Sequence, residues 1–184
     1  MSGEWTVEAI VRATLPVLCV LTLIEIGSGM VLHGFEATLV QYPTLLVLVP
    51  VVIGTAGNLG SMLASRLSTA LHLGTLTFGT NALLVGHVLG TILLAGTLFP
   101  AVGAGAWLLT SVIGSPTLGL GRVLIVATLS GVVLALVVVI VTVSATYIAY
   151  RRRADPDDVV IPTVTNVCDV LGVLVLFAVA QLVV

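Results

Sequence analysis

Apolar residues dominate five long stretches of the chain, at about 14–33, 43–65, 78–101, 123–150 and 162–184, and charged residues fall almost entirely between them. A helix rises about 1.5 Å per residue, and about 20 apolar residues carry it across a hydrocarbon layer roughly 30 Å thick. Each stretch therefore predicts one crossing. The fold class expected is an all-α membrane protein with five transmembrane helices, forming a single integral membrane domain over residues 1–184.

The charges between the stretches orient the bundle. Arg12 precedes the first span, Arg66 follows the second, and Arg151, Arg152 and Arg153 follow the fourth, whereas Arg122 alone lies toward the opposite face. Basic residues favour the cytoplasmic side, so the N-terminus is expected in the cytoplasm and the C-terminus outside. Residues 3–12 carry Trp5, Ile10 and a Glu8/Arg12 pair at i,i+4, which suits either a short interfacial helix or a frayed tail. Residues 103–121, rich in Gly and holding Ser115, Pro116 and Thr117, read as an external turn. The charge run 151–158 reads as a solvated cytoplasmic loop or as a place where cations gather at a pore mouth.

Composition narrows the class. With 59% hydrophobic and 8% charged residues, the chain lacks the polar surface of a water-soluble globule, and a net charge of −2 carries no basic stripe for nucleic acid. A multi-pass protein of the cell (plasma) membrane is expected, with the lipid bilayer as its first partner. Cys19 and Cys168 fall within spans, where a thiol behaves as a small apolar residue. No HExxH, CxxC or GxSxG pattern occurs, and a chain without lysine has no Walker lysine, so no enzyme is expected.

The polar residues inside the spans carry the candidate chemistry. Asp169 stands alone in the fifth stretch, about 12 Å from Ile161 at about 1.5 Å per residue. A carboxylate at the centre of a crossing helix costs roughly 2.5–3.5 kcal/mol on insertion scales. Thr165, Asn166 and Gly172 recur with it at three or four residues and form one polar stripe. A protonated structural carboxyl or an ion pair with an Arg would be the bland accounts, although every Arg lies near a span end. Pro162 reads as the start of this helix, where its missing N–H costs nothing. In the second span, Pro50, Gly54, Gly57, Asn58 and Gly60 crowd together, and Gly54, Asn58, Ser61 and Ser65 share one face. That face suits either close helix packing or a pore lining with carbonyl and amide oxygens. Glu25, His33 and Glu36 form an external acidic vestibule if the first helix continues through Gly34; otherwise Gly34 ends it and leaves Glu36 in a loop. The third span holds Asn81 and His87, the latter inside Gly86-His-Val-Leu-Gly90, a pattern of interhelical packing more than of metal ligation.

The run Val49-Pro-Val-Val-Ile-Gly-Thr-Ala-Gly-Asn-Leu-Gly-Ser-Met-Leu-Ala-Ser-Arg-Leu-Ser-Thr69 resembles the signature of the MgtE magnesium channels, and still more that of their eukaryotic relatives, solute carrier family 41. Asp155-Pro-Asp-Asp-Val-Val-Ile-Pro-Thr-Val-Thr-Asn-Val-Cys-Asp169 resembles the family's entry into the last helix. The resemblance implies a five-helix domain that pairs with a second copy, the second and fifth spans of each lining a central Mg²⁺ pathway. On that pattern Asp169 takes the place of the pore carboxylate, with Asn58 and its glycines on the facing helix. The expected metal-site residues are Asp169, Asn58, Thr165 and Asn166. Gly54, Gly57, Ser61 and Gly172 are expected to line the pore, with Glu25 and Glu36 at a vestibule. The chain opens directly into the membrane domain, so the family's cytoplasmic N and CBS sensor domains are expected to be absent.

The function implied is a divalent cation (Mg²⁺) channel or transporter, with Mg²⁺ as the transported ion and a homodimer or a paralogous pair as the assembly. Mg²⁺ keeps several of its waters, so a wide ring of oxygen acceptors with few carboxylates suits it better than a tight cage. A Na⁺- or H⁺-coupled exchanger and a non-transporting membrane subunit remain the alternatives, and Mn²⁺, Co²⁺ or Zn²⁺ the rival ions.

Overall fold

The computed structural model describes residues 6–76, 82–114, 117–152 and 155–184. These form α1 (Val7–His33), a short α2 (Glu36–Gln41), α3 (Pro43–His72), α4 (Ala82–Ile113), α5 (Leu120–Arg152) and α6 (Pro156–Val183). Five of them, all but α2, are long and apolar enough to cross a membrane. The all-helical fold with five spans is therefore as the hydropathy pattern predicts.

In lipid there is little hydrophobic drive to bring helices together, and close packing of small residues takes its place. Four glycines mark the crossings. A Cβ on Gly131 of α5 would run into the Phe99 side chain of α4, and one on Gly103 would meet the Ala127 Cβ at 2.9 Å. A Cβ on Gly60 of α3 would overlap Val164 of α6, and one on Gly172 of α6 would meet Ile53 Cγ1 at 2.7 Å. Around these contacts Leu45, Leu48, Val52, Phe99, Leu134 and Phe177 form a fully enclosed core. Helix α6 is central and packs on α1, α3 and α5, whereas α1 packs chiefly on α6 alone.

Several boundaries differ from the hydropathy pattern, each for a local reason. The fifth crossing helix begins at Pro156, not at Pro162: Asp155 caps it by accepting a hydrogen bond from the Asp157 N–H at 3.0 Å, and Pro156 takes the first helical position. Pro162 lies inside the helix. The expected charged loop is correspondingly short, since Arg151 and Arg152 end α5 and only 153–154 separate them from the cap, outside the described residues. The expected external turn is helical up to Ile113, because Gly103 and Ala106 are packing positions rather than turn residues. Ser115 and Pro116 lie outside the described residues. The second span runs on to His72 and ends at Gly74, whose φ of +67° suits glycine alone. Residues 7–12 are helical as the first turns of α1, not as a separate interfacial helix, and Trp5 and Asn81 fall outside the described residues. Gly86 and Gly90 face open space, so this GxxxG pattern makes no packing contact among the described residues.

Candidate functional site

The polar residues of the spans fall in the middle part of their helices. From the apolar start of the last span at Val159, Asp169 is ten positions on, or about 15 Å, which is half of a roughly 30 Å hydrocarbon layer. Asn58 lies midway along α3, and Glu25 midway along the apolar part of α1. All three lie near the middle of their own spans, Glu25 and Asn58 exposed and Asp169 half-buried.

Their directions follow from helix geometry. Thr165 faces α3, where its Cγ2 would lie 3.7 Å from a Cβ on Gly57. Asn166 faces α1: its Nδ2 donates to the Leu21 carbonyl at 3.1 Å and to Glu25 Oε1 at 2.9 Å. With about 100° of rotation per residue, Asp169 is turned about 40° from Thr165 and about 60° from Asn166. Its side chain therefore projects between α3 and α1. On α3, Gly60 packs toward α5 and α6, and Gly54 and Asn58 are turned the other way and are exposed. No extensive packing joins α1 to α3. The result is an open cleft with α1 and α3 as walls and α6 as floor.

Glu25 lies within electrostatic reach of Asp169, and the Ser28 hydroxyl donates to the Asp169 backbone carbonyl at 3.3 Å. Asn166, only 3% exposed, holds Glu25 in place by hydrogen bonding. One end of the cleft is tied by Phe35, which stacks on Phe177 at 4.1 Å between ring centroids. The arrangement holds two carboxylates and an exposed amide, while the hydroxyls of Thr165, Ser61 and Ser28 donate to the backbone carbonyls of Ile161 and Pro162, Gly57 and Asp169. Among the described residues no cluster of three or more His, Cys, Asp or Glu side chains could hold a bare metal ion.

The residues singled out in the sequence divide by environment. Asp169, Thr165, Asn58, Gly54 and Ser61 lie on or beside the open cleft, although the Ser61 hydroxyl donates back to the Gly57 carbonyl at 2.9 Å. Gly57 and Gly172 are buried in the seam between α3 and α6, and Asn166 is turned to α1. Gly34 interrupts the first helix, and Glu36 starts α2 with its Oε2 3.2 Å from His33 Nδ1, both side chains exposed. Glu25 and Glu36 therefore do not share one helix face. Ser28 escaped notice in the sequence, although its place three residues after Glu25 puts both on the side of α1 that meets α6.

A family model described as MgtE, divalent cation transporter, matches residues 49–179. The chain belongs to the MgtE family. No curated protein matches it. The matched stretch holds Asn58, Thr165, Asn166 and Asp169, and so covers the α3 wall and the α6 floor of the cleft. Glu25 and Ser28 on α1 lie outside it. With its five apolar spans, this MgtE-family chain is a multi-pass membrane protein and a member of a divalent cation transporter family, not of an enzyme family.

Proposed function

We propose that the chain carries Mg²⁺ across the plasma membrane as a two-fold homodimer, with Asp169 at the ion site and the N-terminus on the cytoplasmic side. The observation that carries this reading is the polar cleft left open at mid-membrane depth, where Asn58 is exposed and Asp169 projects between two helices that do not close over it. Polar groups facing lipid are costly, and irregular or polar surfaces at this depth normally line a water-filled path or meet protein. A second copy laid over the cleft excludes lipid and brings two Asp169 carboxylates across the axis. Their mutual repulsion is relieved by the cation. Thr165 and Asn58 supply neutral oxygens to the ion's waters, and Gly54 leaves room for them.

The gradient needs no ATP. A potential of about 100 mV, negative inside, contributes roughly 4.6 kcal/mol to entry of a divalent ion. Purified chain in proteoliposomes is expected to pass Mg²⁺ at a rate that follows an imposed K⁺ diffusion potential, and crosslinking in native membranes is expected to trap dimers. Flux that ignores voltage and tracks an opposing Na⁺ or pH gradient would show a coupled exchanger instead. No flux from a dimeric, folded chain would show a non-transporting subunit.

Glu25 contributes negative potential to the same cleft while keeping its hydrogen bond to Asn166. Glu25→Gln retains an acceptor for Asn166 and removes only the charge. Mg²⁺ flux at low ion concentration is expected to fall several-fold with thermal stability unchanged; equal flux at all concentrations would remove Glu25 from the pathway.

A further inference from the structure

A pocket of about 310 Å³, apart from the cleft, opens where the end of α3 meets the start of α4, with Ser65, Arg66, Thr69, Thr75, Leu83 and His87 in its wall. Arg66 lies six positions before the last residue of α3, and His87 five positions after the first residue of α4. At about 1.5 Å per residue, the two side chains start about 9 Å and about 7.5 Å inside their helix ends, on the same membrane face. For helices that cross a bilayer, that distance from the end is where headgroups and upper acyl chains are expected.

The chemistry of the wall points to an anion. Among the described residues no Asp or Glu lines the pocket, and the one ion pair, His33 with Glu36, is elsewhere. The Arg66 guanidinium, the Ser65 hydroxyl and the His87 ring enter no hydrogen bond among the described residues; the backbone carbonyls of Ser65 and His87 accept instead, from Thr69 and Thr91. Among the described residues these three donors have no partner, and they share one small volume. Guanidinium forks match phosphate oxygens, and hydroxyl and imidazole N–H groups complete such a cradle. The rim is apolar: Leu73 is 71% exposed and Leu83 38% exposed. A soluble anion has no use for such a rim, whereas a phosphate tethered to acyl chains lays those chains against it.

We infer that this pocket binds the phosphate of an anionic membrane lipid, held by Arg66 with Ser65 and His87, and that the lipid thereby clamps the α3–α4 corner. Basic pockets between membrane helices are known to recognise such headgroups. The inference does not rest on the ion pathway: Ser65 continues the α3 face of Gly54, Asn58 and Ser61, but Arg66 is turned about 100° from it and His87 is on α4, away from the cleft.

Native mass spectrometry of the full chain in detergent, titrated with phosphatidylglycerol, phosphatidylcholine or inorganic phosphate, tests it. Phosphatidylglycerol is expected to bind at least tenfold more tightly than phosphatidylcholine. Arg66→Gln should erase that preference, and Arg66→Lys should keep part of it. The double variant Ser65→Ala with His87→Leu, which leaves the arginine in place, should weaken phosphatidylglycerol several-fold and serves if Arg66→Gln does not fold. Arg151→Gln with Arg152→Gln should bind as the unaltered chain does. Equal binding of the two lipids, or a preference that survives both pocket variants or disappears with the Arg151 and Arg152 changes, overturns the inference. Inorganic phosphate that displaces the lipid fully at equal concentration would make a soluble anion the ligand and overturn the lipid assignment.

Discussion

Asp169→Asn is expected to leave an inserted, dimeric protein with less than one-tenth of the Mg²⁺ flux. The substitution keeps the shape of the side chain, and the Ser28 hydroxyl holds the backbone carbonyl of residue 169 rather than its carboxylate, so the α1–α6 seam does not depend on the charge. What disappears is attraction for a divalent ion. At about 4 Å and an effective dielectric of about 20, a unit charge attracts a divalent ion by roughly 8 kcal/mol before desolvation. Even a fifth of that exceeds the roughly 1.4 kcal/mol that makes a tenfold change. Asn58→Ala removes a neutral acceptor whose place water can take, so its flux is expected to fall less. Proteoliposome flux for both variants, with size-exclusion profiles as the control for assembly, checks the ordering. Unchanged flux and ion selectivity in Asp169→Asn would end the assignment of the ion site, and failure of this variant to assemble would make the carboxylate structural.

The second large effect is on stability. Gly131→Ala is expected to destabilise the helical bundle by about 1–3 kcal/mol, the usual range for overpacking a close-packed interior. The added methyl overlaps Phe99 at its Cβ and Cγ, close to the α4 backbone, and Phe99 is fully enclosed. Thermal unfolding in detergent should show the loss. Adding Phe99→Leu to Gly131→Ala should return part of it, since the smaller side chain vacates the volume that the methyl needs. A Gly131→Ala protein as stable as the unaltered chain would mean that α4 and α5 do not approach as closely as the structure places them.

Five apolar stretches were enough to read five crossing helices, because in lipid every backbone polar group must be satisfied within its own segment and helix is the available solution. Element ends were less legible. Pro162 looks like a helix start by its residue type, but Asp155 and Pro156 form the better cap nearly two turns earlier, and a membrane helix accommodates an internal proline. Gly103 looked like a turn residue because glycine in a sequence does not say whether its missing side chain serves a bend or a neighbouring helix. Its contact with Ala127 decides for the neighbour. The same ambiguity runs through α3, where Gly54 and Gly57 differ by three positions in one motif, yet Gly54 faces the cleft and Gly57 faces Thr165.

By itself, the sequence determined the membrane class, the number of crossings, the family motifs and the presence of a carboxylate too deep for its short side chain to reach the headgroups, because hydropathy, length and residue spacing are properties of a single helix. Which side of each polar stripe is open, and which is sealed against a neighbour, was decided by tertiary structure alone. Asn166 turns to α1 and Asn58 to open space although both are mid-span asparagines, since α1 packs against α6 and has no comparable contact with α3. The joining of Glu25 to Asn166 and of Ser28 to Asp169, each across more than 140 positions of chain, was likewise beyond any local pattern, for it depends on α1 packing against α6.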